Sequence, residues 1–143
     1  MIRLATLKDA LELADLERAS FGTDAWSERQ VLGTLNQPGG FALLDTGEGA
    51  AIGHVLGWAT AGEGELLRIG VAPPFRRTGR GVMLLRAFQE ECRRRGATQV
   101  FLEVRQDNLG AHRLYRSQSW QEAGRRPKYY ADGMDALVFT TAP

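Results

Sequence analysis

The sequence is poor in the residues that build cross-links and metal centres. One cysteine and two histidines in 143 residues exclude an intrachain disulfide framework and a multi-thiolate zinc site. No run of about 18 apolar residues occurs, which excludes a spanning helix, and the N-terminus has no basic stretch followed by an apolar one, so no secretion signal is read there. The triphosphatase loop G-x-x-x-x-G-K-[ST] is missing. Net charge is nearly missing too: 18 basic against 17 acidic side chains leave +1, a poor balance for a dedicated nucleic-acid binder. What remains, 43% hydrophobic and 8% aromatic, is about one core's worth of chain, read as a single cytoplasmic domain over residues 1–143 with no membrane partner.

The small total hides an asymmetry. Residues 1–67 carry four basic and ten acidic groups, residues 68–96 eight arginines and two glutamates, and residues 97–143 six basic and five acidic groups. A local cationic surface binds anions whatever the total charge, so the middle block is the place to look for an anion site.

Ile2 to Ala5 reads as a short strand. Thr6 reads as the N-cap of a helix with Leu7, Ala10, Leu11 and Ala14 on one face, ending near Ser20 or Gly22. Ser27 and Gln30 match a capping box, with Trp26 and Val31 at the staple positions. Strands are read at Phe41 to Asp45 and Ile52 to Thr60, around a Gly47-Glu48-Gly49 turn, and another at Glu65 to Ala72. Val82, Leu85, Phe88 and Cys92 form a helical stripe that stops at Gly96. A buried-looking strand at Val100 to Arg105, a short helix from Asn108 to about Ser117, and two strands flanking a Tyr129 to Gly133 loop complete a mixed α/β or α+β order.

Between the Glu65 to Ala72 strand and the long helix lies Val71-Ala72-Pro73-Pro74-Phe75-Arg76-Arg77-Thr78-Gly79-Arg80-Gly81. Unpaired N–H groups at a helix start, with the positive end of its dipole, suit a phosphate. Gly79 and Gly81 let it approach the backbone, and Arg76, Arg77 and Arg80 offer charged donors around it. A plain glycine turn with solvated arginines fits the same residues. Glu103 stands inside an apolar strand, either at a solvated edge or at work. Asn108 and Tyr115, two turns apart, face one side of their helix; one suits an N-cap and the other a core aromatic with its hydroxyl at the surface. His54 and His112 have no metal-ligand companions, and His112, one turn before Tyr115, reads as a surface helix residue with a second base as the other role it suits. Arg93-Arg94-Arg95 and Arg125-Arg126-x-Lys128 read as solvated faces, with ribosomal RNA as the other contact they suit.

Arg76-Arg77-Thr78-Gly79-Arg80-Gly81 resembles the [QR]-x-x-G-x-[GA] loop of the GNAT superfamily of N-acetyltransferases. Leu102-Glu103-Val104-Arg105, Asn108, Leu114-Tyr115 and the stretch from Gly124-Arg125-Arg126 to Tyr129-Tyr130-x-Asp132-Gly133-x-Asp135-Ala136 resemble the bacterial enzymes that acetylate the N-terminal alanine of a small-subunit ribosomal protein. The resemblance runs from Trp26-Ser27-Glu28 nearly to the end. It implies a mixed, mostly antiparallel sheet of about seven strands, splayed between strands 4 and 5 and flanked by about four helices. It implies acetyl-CoA as cosubstrate without a metal, its pyrophosphate on residues 76–81 and its pantetheine arm along Ile69, Gly70 and Val71. Glu103 falls at the position of a general base, Tyr115 at that of the group that protonates the departing thiolate, and Asn108 at a contact to the cosubstrate or its water. Tyr129, Tyr130 and Asp135 border the implied acceptor channel.

The resemblance leaves three other acceptors or roles open: a lysine side chain, a small-molecule amine, and a non-catalytic acyl-CoA sensor. A ping-pong route through Cys92 competes with direct attack, but its place on the apolar stripe marks Cys92 as a small core residue. At one place the chain departs from the family's pattern. Ser117-Gln118-Ser119-Trp120 lacks the usual glycine, which is expected to alter the helix exit because serine resists left-handed geometry.

Overall fold

Residues of alternate parity in the strands feed two separate cores. Phe41, Leu43 and Val55 join a 17-residue cluster with Leu84, Leu85, Phe88, Val100, Leu102, Tyr115 and Phe139. Ala42, Leu44 and Leu56 join a 7-residue cluster with Ala10, Leu13, Leu16 and Val31. Such a division is what a pleated sheet covered by helices on both faces requires. The computed structural model describes residues 1–143. Its strands are β1 (Ile2–Leu4), β2 (Gly40–Asp45), β3 (Gly53–Thr60), β4 (Glu63–Val71), β5 (Gln99–Arg105), β6 (Gln121–Arg126) and β7 (Ala136–Thr141). The helices α1 (Ala10–Phe21) and α2 (Glu28–Asn36) supply the smaller core; α3 (Arg80–Arg94) and α4 (Leu109–Ser117) supply the larger.

The sheet runs β1-β2-β3-β4-β5-β7-β6. Every neighbouring pair is antiparallel except β4 and β5, which are parallel and paired only from Glu63↔Gln99 to Leu66↔Leu102. Beyond that point the two strands splay. A bulge in β4 marks the divergence: Leu56 faces Arg68 while Gly57 faces Leu66, leaving Leu67 unopposed, and a bulge bends its strand and re-aims the residues beyond it. Gly57 lets α3 lie close on β3. A Cβ there would sit 2.3 Å from the Glu65 carbonyl oxygen and 2.6 Å from the ring of Phe88. Phe88 itself is completely buried, worth roughly 2–3 kcal/mol of transfer free energy.

The capping box at α2 forms in both directions, with the Gln30 amide donating to Ser27 Oγ at 3.2 Å and the Ser27 amide to Gln30 Oε1 at 2.9 Å. Elsewhere the elements differ from the sequence reading. Thr6 caps a 3-10 turn, Leu7–Asp9, before α1 begins at Ala10. Ala10 and Ala14 of the expected face are buried, but Leu7 and Leu11 are exposed and Leu13, Leu16 and Glu17 complete the buried face. β4 begins at Glu63, and β3 and β4 form a hairpin through Ala61 and Gly62, with φ of 53° and 84°. Two left-handed residues are what a two-residue hairpin turn of matching twist needs; an alanine in that place gives little signal. Ser119 does adopt the left-handed geometry that its missing glycine would have eased, with φ of 68°, and Trp120 is buried in the larger core with its Nε1 donating to Gln89 Oε1 at 3.3 Å. His112, read as a surface residue, is buried on the inner side of α4, its Nε2 3.0 Å from the Arg105 carbonyl oxygen.

Candidate active site

Where β4 and β5 part, an open cleft of about 930 Å³ is lined by Leu66 to Val71 of β4, Glu103 to Arg105 of β5, residues of α4, and the start of α3. The edge of β4 that faces the cleft has no strand partner beyond Leu66, so some of its backbone hydrogen-bonding capacity is free for a ligand. A second cleft of about 230 Å³ is lined by Trp26, Glu65, Glu103, Tyr129 and Tyr130. The two share Leu66, Leu67, Arg68, Glu103 and Tyr130. Glu103 therefore stands where the clefts meet.

The arginine and glycine loop is built to present the start of α3. Pro73–Phe75 form a 3-10 turn, Thr78 Oγ1 donates to the Phe75 carbonyl at 2.6 Å, and Gly79, with φ of 82°, occupies the N-cap without a side-chain cap. The first N–H groups of α3 are thus left for a ligand, at the positive end of a 15-residue helix. Arg77, Arg80 and Gly81 line the cleft there. Thr78 and Gly79 lie outside the lining and shape the turn. Arg76 lines the cleft but commits its Nε to the Val71 carbonyl at 2.9 Å and its Nη2 to Ser20 at 3.3 Å. Arg80 pairs with the buried Asp45 at 2.9 Å. The cleft volume, the free strand edge and the uncapped helix start together fit a long anionic thioester such as acetyl-CoA; no group of three or more His, Cys, Asp or Glu is placed to hold a metal.

Glu103 is mostly shielded and its Oε1 lies 2.7 Å from Arg126 Nε. Interaction with this carboxylate, and then burial, raises the Tyr129 phenol. Arg105 holds the β6–β7 loop down through Asp132 at 2.7 Å and lies 4.9 Å from the Tyr130 ring. Glu65 accepts from Trp58 Nε1 at 3.0 Å, and its carboxyl is raised by burial and by the charge of Glu103. Tyr115 is buried in the larger cleft's wall, where desolvation raises its phenol well above the ordinary range. Asn108 lines the same cleft and also caps α4, accepting from the Ala111 amide at 3.1 Å. Ile69, Gly70 and Val71 lie along the free β4 edge.

Asp135 lines neither cleft; it accepts from the Lys128 amide at 2.8 Å and pairs with Arg125 at 3.3 Å, closing the loop's base. Cys92 is fully buried, its thiol pushed up to about 12 by desolvation.

A buried network escaped the sequence reading. Glu17 of α1 accepts from Arg68 at 2.7 Å and from the Trp26 amide at 2.9 Å, and meets His54 Nε2 at 2.5 Å. Its contacts hold its carboxyl below the usual range despite burial. Arg68 lies 4.3 Å from the Phe21 ring and 5.4 Å from that of Trp26, tying the segment between α1 and α2 to β4 at both clefts. The available signal was an acid on the apolar face of α1, one turn beyond Leu13. Arg126 was also missed, because nothing local links it to Glu103.

Residues 7–120 match the acetyltransferase (GNAT) family. The N-alpha-acetyltransferase RimI of Mycobacterium tuberculosis is 35% identical over 139 residues, spanning 93% of this chain and 86% of that protein. The ribosomal protein bS18-alanine N-acetyltransferase of Salmonella typhimurium is 33% identical over 121 residues, 82% of this chain and 80% of that one. The crystal structure of the ribosomal-protein-S18-alanine N-acetyltransferase from Escherichia coli superposes with a TM-score of 0.88 at 26% identity, over 99% of this chain and 94% of that one.

Proposed function

The chain belongs to the acetyltransferase (GNAT) family, and from that membership we propose that it moves the acetyl group of acetyl-CoA onto the N-terminal α-amine of a protein, the alanine of a small-subunit ribosomal protein being the proposed acceptor. The observation that carries this reading is Glu103 at the meeting point of a large cleft suited to the cosubstrate and a small one suited to an acceptor. The Mycobacterium and Salmonella relatives, N-terminal α-amine and alanine acetyltransferases by name, support the acceptor class.

Bound acetyl-CoA supplies an activated acyl thioester. The chain supplies proton handling and placement. An N-terminal ammonium has a pKa near about 8, so at neutral pH most acceptor molecules must lose a proton before attack. Glu103 is assigned that proton, taken directly or through water. Backbone amides of the free β4 edge at Ile69, Gly70 and Val71 are assigned to the acyl carbonyl and the pantetheine arm. The helix start at Arg77, Arg80 and Gly81, with Thr78 and Gly79 shaping the turn and Arg76 bracing it, is assigned to the pyrophosphate. Tyr115 Oη is assigned to the departing sulfur. Burial holds its proton more tightly than an ordinary phenol would, so its part is a hydrogen bond to the developing thiolate rather than complete transfer. Tyr129 and Tyr130 flank the acceptor.

Mass spectrometry of short peptides with varied N-termini, incubated with enzyme and acetyl-CoA, tests the acceptor. The α-amine of alanine-initiated peptides is expected to gain the acetyl group; modification confined to lysine side chains would overturn the assignment.

A further inference from the structure

Glu103 is occupied before any acceptor arrives. Its Oε1 carries the Arg126 guanidinium at 2.7 Å, and Tyr129 lines the smaller cleft with it. An ammonium that is to surrender its proton to Glu103 competes with that guanidinium for the carboxylate's charge. Arg126 is 57% exposed and this is its one ion pair, so its guanidinium returns to water at small cost.

A destination is built beside it. Glu65 is paired with Phe101, two residues before Glu103, so both carboxylates lie on one face of the sheet across the β4–β5 seam. Both line the smaller cleft. Glu65 spends Oε1 on Trp58 Nε1, leaving Oε2 without a protein donor. The charge of Arg126 already reaches it, opposing the effects of burial and of Glu103 on its carboxyl. With Arg68 at the cleft wall matched by Glu17, Glu65, Glu103 and the Arg126 guanidinium together carry one negative charge, which a single acceptor ammonium neutralises.

We propose that Arg126 is a positioning residue that moves between two carboxylates, resting on Glu103 in the free enzyme and on Glu65 once the acceptor ammonium takes its place. Glu65 then sets acceptor affinity without touching the acceptor. Selection arises from the exchange, because a neutral group at the reacting position gives Arg126 no reason to leave. The inference rests on the assignment of Glu103 as the base.

A double-mutant cycle with a short alanine-initiated peptide, using the full chain, tests it. Glu65→Gln keeps an acceptor for Trp58, so the wall of the cleft is retained. In the otherwise natural enzyme it is expected to raise the peptide KM roughly three- to tenfold, with kcat and the acetyl-CoA KM little changed. In an Arg126→Ala background the same change is expected to move the peptide KM less than about twofold, since the mobile charge is gone. Equal losses in both backgrounds would mean that Glu65 meets the acceptor itself and would overturn the proposal, as would an unchanged peptide KM in Glu65→Gln alone. Glu103→Gln measured alongside separates the two readings: full turnover there defeats the base assignment whatever the cycle gives.

Discussion

Glu103 and Tyr115 reach the same cleft from different elements, and their surroundings fit opposite tasks. Glu103 carries a group that can exchange with an ammonium, the exposed Arg126 guanidinium. Tyr115 sits in the core against Trp120 and Phe139, ring centroids 5.9 and 6.0 Å away, where its proton is retained. Glu103→Gln is expected to lower kcat by about 10²- to 10⁴-fold while calorimetry shows undiminished acetyl-CoA binding. Tyr115→Phe is expected to cost roughly 10²-fold, the worth of one donor aimed at developing charge. Because burial raises the Tyr115 phenol, its ionisation adds no basic limb to the pH–rate profile below about pH 10. Glu103 was legible in the sequence as a lone acid in an apolar strand. Arg126 and Glu65 were not, since their meaning comes from strands that are neighbours in space alone. Cys92 was legible as core from its helical stripe, and its raised thiol agrees with that place.

At the scale of elements, periodicity and caps carried the reading wherever the backbone was regular. The α2 capping box and the α3 stripe could be read directly from residue spacing. The misreadings fell where local geometry departs from the repeat: the 3-10 turn that precedes α1, and the Ala61-Gly62 hairpin. The splay between β4 and β5 was implied by the resemblance; the bulge at Leu67 and the end of pairing after four register steps left no mark in residue spacing. Ser119 illustrates a cost accepted at an element boundary. A residue with a Cβ held at φ of 68° loses about 1 kcal/mol relative to glycine. Ser119→Gly is therefore expected to raise the melting temperature by roughly 2–4 °C for a chain of this size, with kcat unchanged; a lowered melting temperature would show that the Ser119 side chain stabilises the turn.

Across the whole molecule, the positive middle block is less cationic than its count. Arg68 is matched by Glu17 and Arg80 by Asp45, both acids of the N-terminal segment, while Arg93 pairs with Glu90 and Arg94 and Arg95 with Glu91. Among the loop arginines, Arg77 alone has neither a carboxylate nor a carbonyl partner, and it lines the cleft. Arg77→Ala is expected to raise the acetyl-CoA KM about three- to tenfold at low ionic strength, less in high salt, with the melting temperature kept. Arg80→Ala leaves Oδ2 of the buried Asp45 without its donor, while Oδ1 keeps the Gly47 amide, and is expected to destabilise by roughly 1–3 kcal/mol in chemical denaturation.

The free edge of β4 gives the fold a strand margin at its centre as well as at β1 and β6. Amides of Leu67 to Val71 that point away from β3 have no strand to shelter them, so they are expected to exchange with deuterium far faster than those of β3 opposite. Saturating acetyl-CoA should slow them selectively, making these few amides a direct gauge of cosubstrate occupancy, readable by mass spectrometry without turnover.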